Sequence, residues 1–148
     1  MPEPIGFVHS PVSEETDEQW GNIESEIHVR PELADGLIGI EQFSHLLVVF
    51  WMHRAVFDPA GDLLRRPRGR DDMPLLGSFA QLAKHRPHPI GITAGRRRGR
   101  KEKIVSVRGL DAIDGTPVID LKPYVPQFDR IDDATLPDWM NTLMENYF

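Results

Sequence analysis

The chain has 148 residues, 40% of them hydrophobic and 27% charged, which is one domain's worth of a globular protein with enough apolar content for a real core. It has no cysteine, which excludes disulfides, thiolate metal sites and a cysteine nucleophile. The net charge of -6 hides a segregation: acids dominate residues 1–53 and 109–148, while ten of the 17 bases fall in two short windows, Arg65–Arg70 and Arg96–Lys103, so an acidic chain can still present a basic face to a polyanion.

In chain order, Met1–Ile5 has no basic stretch leading an apolar core, so no secretory signal is visible and a cytoplasmic protein is the default expectation. Ile5–His9 reads as a short strand stopped by Ser10-Pro11, and residues 12–22 as a polar, acidic loop with Trp20 its one large apolar residue. Ile23–Arg30 alternates, with Ile23, Ile27 and Val29 on one face, the pattern of a half-buried strand. Pro31–Gly36 reads as one helical turn. Leu46–Met52 is continuously apolar and predicts a strand buried on both faces; at seven residues it cannot span a bilayer.

Residues 58–74 show no apolar period and predict a long loop, followed by a short strand at Gly77–Ala80. Pro87 and Pro89 keep 84–89 irregular. Ile90–Ala94 and Ile104–Arg108 predict a hairpin joined by a loop, Gly95–Glu102. Pro117–Leu121 predicts a strand after the Asp114-Gly115 turn. Thr135 is placed to cap a C-terminal helix with an apolar face of Leu136, Met140, Leu143, Met144 and Tyr147. Six or seven short strands with little helix predict a mainly β fold, a small closed barrel with a C-terminal helix, not a doubly wound sheet.

No G-x-G-x-x-G or Walker loop is present, no serine elbow, and no His/Asp cluster at metal-ligand spacing; His85 and His88 are separated by helix-breaking proline, so no metal site is expected. The densest polar block is Gly109–Pro126, with Asp111, Asp114, Asp120 and Lys122. Asp111 and Asp114 are a pair suited to acid–base work, although their spacing alone favours the ordinary makings of a turn with Gly115. The arginine windows read either as solvated loops or as a nucleic-acid footprint, and Trp20 either stacks on a base or packs on the barrel.

Four segments in this order resemble the TsaA/TrmO family (YaeB- or VirR-like): Ile5-Gly6-Phe7-Val8-His9-Ser10-Pro11, Ile40–Arg54, Arg86-Pro87-His88-Pro89-Ile90-Gly91, and Gly109–Tyr124 with its G-L-D-x-x-D-G core. The resemblance covers about residues 5–129. It implies a single TsaA-like domain over 1–148, with the barrel in about 5–129 and a helical extension in about 135–148.

It also implies S-adenosylmethionine as cofactor, a homodimer, and methylation of N6 of threonylcarbamoyladenosine beside the anticodon of tRNA. Carried over motif by motif, the cofactor contacts fall on His53, Arg54, Ile92, Asp111, Ala112, Ile113 and Asp114. Asp111, His88 and Arg86 become the candidate catalytic groups. The windows Arg65, Arg66, Arg68, Arg70 and Arg96, Arg97, Arg98, Arg100, Lys101 become the expected RNA contacts. The chain departs from the family at Leu82 and His88, where an arginine and an asparagine are usual. The proline-arginine-glutamine stretch after the first strand is replaced by Asp17-Glu18-Gln19-Trp20. Leucine cannot reproduce a planar multi-donor guanidinium. The alternative implied by that loss is a non-catalytic S-adenosylmethionine-binding or RNA-binding module of the same fold.

Overall fold

A computed structural model describes Met1–Phe148. The strands are β1 (Gly6–His9), β2 (Glu24–Val29), β3 (His45–Trp51), β4 (Leu64–Arg65), β5 (Leu76–Gly77), β6 (Ile90–Lys101), β7 (Ile104–Arg108) and β8 (Pro117–Pro123). Six of them close a barrel in the order β1-β2-β7-β6-β3-β8, every neighbouring pair antiparallel. The seam between β1 and β8 is short, Gly6 opposite Val118 and Phe7 opposite Pro117. It is extended by Ile5 N–H to Val118 O at 2.8 Å and Val8 N–H to Thr116 O at 2.9 Å. Closure leaves no long unpaired edge, which is how a sheet this small avoids templating another chain. No helix is long and apolar enough to cross a membrane.

Period-two alternation fills the interior. Val8, Ile27, Val29, Leu46, Val48, Phe50, Val105, Val107 and Val118 point inward, joined by Leu110 and Ala112 from the loop after β7 and Leu37 from the 3-10 turn Pro31–Leu37. β-Branched residues dominate because they suit a pleated, packed surface.

Five expectations are corrected. β3 is not buried on both faces: Leu46, Val48 and Phe50 are buried and the alternate residues only partly so, since a barrel wall has one interior face. The segment 95–101 is not a loop. β6 runs straight through the arginines to Lys101, opposite Ile104, and only Glu102 and Lys103 form the turn, Glu102 with a left-handed φ of 55°. Exposed arginines do not oppose strand pairing, and a bulge between Arg97 and Gly99 absorbs the extra residue.

The region 58–74 is not a structureless loop. It holds a helical turn, α1 (Pro59–Asp62), capped by Asp58 Oδ1 accepting from Ala60 N–H at 3.1 Å, and β4, which pairs with β5. Two-residue strands have no period to detect. Leu76–Gly77, not Gly77–Ala80, is the strand there, and Ser78–Ala80 is a 3-10 turn. After a further helical turn, α2 (Pro126–Asp129), the C-terminal helix α3 spans only Asp138–Leu143. Thr135 makes no cap to it; Pro137 holds the N-cap position without a side-chain bond.

Candidate active site

One end of the barrel opens into a cavity of about 1050 Å³. Its floor is set where Phe50 of β3 pairs with Gly91 of β6, and Ile92 and Thr93 continue along the same strand. Chain past the end of β3 supplies Met52, His53 and Arg54. The proline-rich segment supplies Leu82 through Arg86 and His88, and the loop after β7 supplies Asp111, Ala112 and Ile113. The remaining wall comes from Glu15–Asp17, Trp20, Arg65, Arg68 and the C-terminal residues Trp139, Met140, Leu143, Met144, Tyr147 and Phe148.

Residues 109–116 are shaped by two left-handed glycines, Gly109 (φ 83°) and Gly115 (φ 82°). Leu110, Ala112 and Ile113 turn into the core, Thr116 Oγ1 donates to Ile113 O at 2.6 Å, and Asp114 turns outward, where Oδ1 accepts from Ser10 N–H at 3.0 Å. Asp111 is the one charged group of the block left facing the cavity. Its Oδ1 accepts from the Thr93 hydroxyl and its Oδ2 from the Tyr147 hydroxyl. Burial, followed by the charge of Asp111, pushes the Tyr147 phenol far above its ordinary range, so it serves there as a donor.

The C-terminal segment is clipped to the acidic loop. Gln19 N–H donates to Asn146 O and Trp20 N–H to Tyr147 O, both at 2.7 Å. Trp20 is buried and its indole N–H donates to Thr16 O at 3.1 Å, so it packs within the fold. Three acids of this loop each meet a base lining the cavity. Glu14 lies 3.7 Å from Arg54, Asp17 lies 3.8 Å from Arg68, and Glu15 pairs with Lys84. The Arg68 guanidinium also sits over the Tyr147 ring, 6.0 Å from its centroid.

Six of the seven expected cofactor positions, His53, Arg54, Ile92, Asp111, Ala112 and Ile113, line this one cavity; Asp114 does not. His88 and Arg86 line it with Asp111. The Arg86 guanidinium donates to Gln81 O at 2.9 Å and Ala83 O at 3.1 Å, which braces the 81–86 segment.

The basic windows are partly self-neutralised. Arg65 pairs with Asp62 at 2.9 Å, Arg70 is bidentate on Asp72, and Arg66 donates to Met73 O. Among the second window, Arg97 donates to Phe43 O and Glu41 O, Arg98 lies 3.5 Å from Glu24, and Arg100 donates to Glu102 O. Only Arg65 and Arg68 of the nine reach the cavity. Thr93, Lys84 and Tyr147 escaped the sequence reading as site residues. The apolar face of the C-terminal helix was visible, but nothing in a sequence says which surface such a face meets.

Residues 9–130 match the model of the tRNA-methyltransferase O N-terminal domain. A probable S-adenosyl-L-methionine-binding protein of Pyrococcus abyssi is 42% identical over 131 residues, covering 85% of this chain and 68% of that protein. The tRNA (adenine(37)-N6)-methyltransferase of Escherichia coli is 33% identical over 144 residues, covering 90% of this chain and 61% of that enzyme. The crystal structure of TrmO from Pseudomonas aeruginosa superposes with a TM-score of 0.73 at 30% identity, covering 91% of this chain and 60% of that one. The chain thus spans about three fifths of the length of those two methyltransferases. A family match over most of the chain, a barrel shared with a solved relative, and one cavity gathering the family's motif positions lead to the same assignment: the chain belongs to the tRNA-methyltransferase O N-terminal domain family.

Proposed function

We propose that the protein is an S-adenosylmethionine-dependent methyltransferase acting on N6 of an adenosine in tRNA, with threonylcarbamoyladenosine beside the anticodon as its acceptor. The observation that carries the reading is the convergence of His53, Arg54, Ile92 and Asp111–Ile113 on a single cavity from three separate stretches of chain. The names of the relatives support the cofactor and the tRNA substrate.

The residues fit this cofactor. Ile92, Ala112, Ile113 and Met140 offer apolar surface to a planar heterocycle, and Asp111 offers a carboxylate to a cation. The volume, about 1050 Å³, leaves room for an acceptor base beside it. When bound, S-adenosylmethionine supplies a methyl group on a cationic sulfur that departs as a neutral thioether. A carbamoylated N6 is amide-like and weakly nucleophilic, so its proton must leave as the new N–C bond forms. Asp111 is the acceptor placed for that proton, with His88 on the same cavity. Holding donor carbon and acceptor nitrogen in contact supplies much of the remaining acceleration.

The cavity bases Arg54 and Lys84 and the β6 arginines are phosphate contacts for the tRNA. From Ile92 to Lys101 is roughly 30 Å of strand, so one polyanion reaches both regions only if it is long. Exposed Leu82, Ile90 and Ile92 at the cavity mouth support a second copy of the chain seated there.

A specific observation favours a second reading, a cofactor-binding module without transferase activity: Leu82, 81% exposed at the cavity, stands where the resembling proteins carry arginine. Calorimetric titration with S-adenosylmethionine followed by mass spectrometry of tRNA nucleosides separates the two. Saturable binding with new N6-methylated nucleoside is the expected result. Binding without methylation selects the module, and no binding at millimolar cofactor overturns both.

A further inference from the structure

We propose that Tyr147 is a positioning residue of this site, fixing through its hydroxyl the carboxylate of Asp111; the inference rests on the methyltransferase reading above for its kinetic consequence. Tyr147 is carried by a segment outside the barrel and outside the 9–130 stretch that matches the family. It reaches a residue 36 positions earlier in the chain.

Its placement is held from several sides. The backbone on either side is clipped by Gln19 and Trp20. Asn146 adopts a left-handed φ of 61° to turn the chain inward. Gly21 lies so close to Phe148 that a Cβ there would come within 2.5 Å of its backbone carbonyl carbon. Arg68 covers the ring.

What this fixes is the orientation of an acceptor. An aspartate carboxylate turns easily about its terminal torsion, which is broad and two-fold. Thr93 on Oδ1 and Tyr147 on Oδ2 oppose that turn from both oxygens. A carboxylate has about four lone-pair directions, so two remain for whatever occupies the cavity. The barrel alone provides only the Thr93 half of this arrangement. Because burial and the neighbouring carboxylate keep the phenol protonated, Tyr147 donates to Asp111 and does not itself act as the base.

Packing alone would be met equally well by phenylalanine, so Tyr147→Phe, Asp111→Asn and the double variant are compared in the full chain. Three measurements are made: alkaline absorbance titration of the two tyrosines, calorimetric binding of S-adenosylmethionine, and tRNA methylation kinetics.

In the titration, Asp111→Asn is expected to lower the higher of the two tyrosinate transitions by about one pH unit or more, and Tyr147→Phe to abolish it. In kinetics, Tyr147→Phe is expected to lower kcat about tenfold while KM for tRNA and cofactor affinity stay within about threefold, and to cost nothing further in the Asp111→Asn background. Thr93→Val, which removes the other donor without touching the C-terminal segment, is expected to show the same dependence on Asp111.

Identical tyrosinate transitions in wild type and Asp111→Asn, full kcat in Tyr147→Phe, or an equal loss in both backgrounds would overturn the positioning role. A wild-type protein that neither binds the cofactor nor methylates tRNA overturns the methyltransferase reading instead. The titration then still decides whether Tyr147 holds Asp111.

Discussion

The far end of the Phe50 ring abuts Gly91 on the neighbouring strand: a Cβ at residue 91 would fall 2.4 Å from Phe50 Cζ. Phe50 is buried, and the open space beside it is the cavity. Gly91→Ala is therefore expected to push the ring into the cavity or strain the pair. The expected cost is about 1–3 kcal/mol of stability, by analogy with overpacked cores, with weaker cofactor binding. Chemical denaturation and calorimetry check it; an unchanged midpoint with unchanged affinity would show that the contact is not tight.

Ser25 faces the barrel interior at 4% exposure, and its hydroxyl has no hydrogen-bond partner. An unmet buried hydroxyl costs on the order of 1–3 kcal/mol. Ser25→Ala is expected to raise unfolding stability by about 1 kcal/mol. A loss in urea denaturation would mean that the hydroxyl is satisfied in solution.

Glu14, Glu15 and Asp17 occupy Arg54, Lys84 and Arg68 of the cavity wall, and on the proposed function a tRNA phosphate must compete with them. Exposed pairs of this kind contribute roughly 0.2–1 kcal/mol each. The triple variant Glu14→Gln, Glu15→Gln, Asp17→Asn is expected to shift stability little and to tighten tRNA binding several-fold at low ionic strength. The gain is expected to shrink as salt screens the phosphates. Weaker binding in the variant would assign the acids a supporting role instead.

Tyr147 supplies a pH dependence with a definite sign. Its phenol is raised in the folded structure above the ordinary value of 10.0, so the protonated phenol favours the docked C-terminal segment. That contribution is complete below about pH 10, where the phenol of a released segment is also protonated, and it is lost as pH rises beyond it. Tryptophan fluorescence, with Trp20 and Trp139 on the two clipped segments, is expected to change above about pH 10 in wild type and to stay flat in Tyr147→Phe. The same transition in both proteins would remove Tyr147 as its cause.

The strands of the barrel were readable because alternation survives in isolation: Ile27 and Val29 announce an interior face whatever they meet. The arginine-rich half of β6 was not. Its residues carry no inward apolar signal, and only pairing with β7 makes them a strand. Asp111 and Asp114 show the same division. Both look like turn formers in the sequence, and the left-handed glycines around them turn one to the cavity and the other onto Ser10.

By itself the sequence determined a mainly β fold, the family, and most of the motif residues found along the cavity, because alternation and motif identity are properties of short stretches. Only the tertiary structure decided which of those residues share a wall. It alone brought Tyr147 to Asp111, set the acidic loop against the basic wall and placed Gly91 beneath Phe50. Such relationships come from chain closure over tens of residues, and no local pattern encodes the partner.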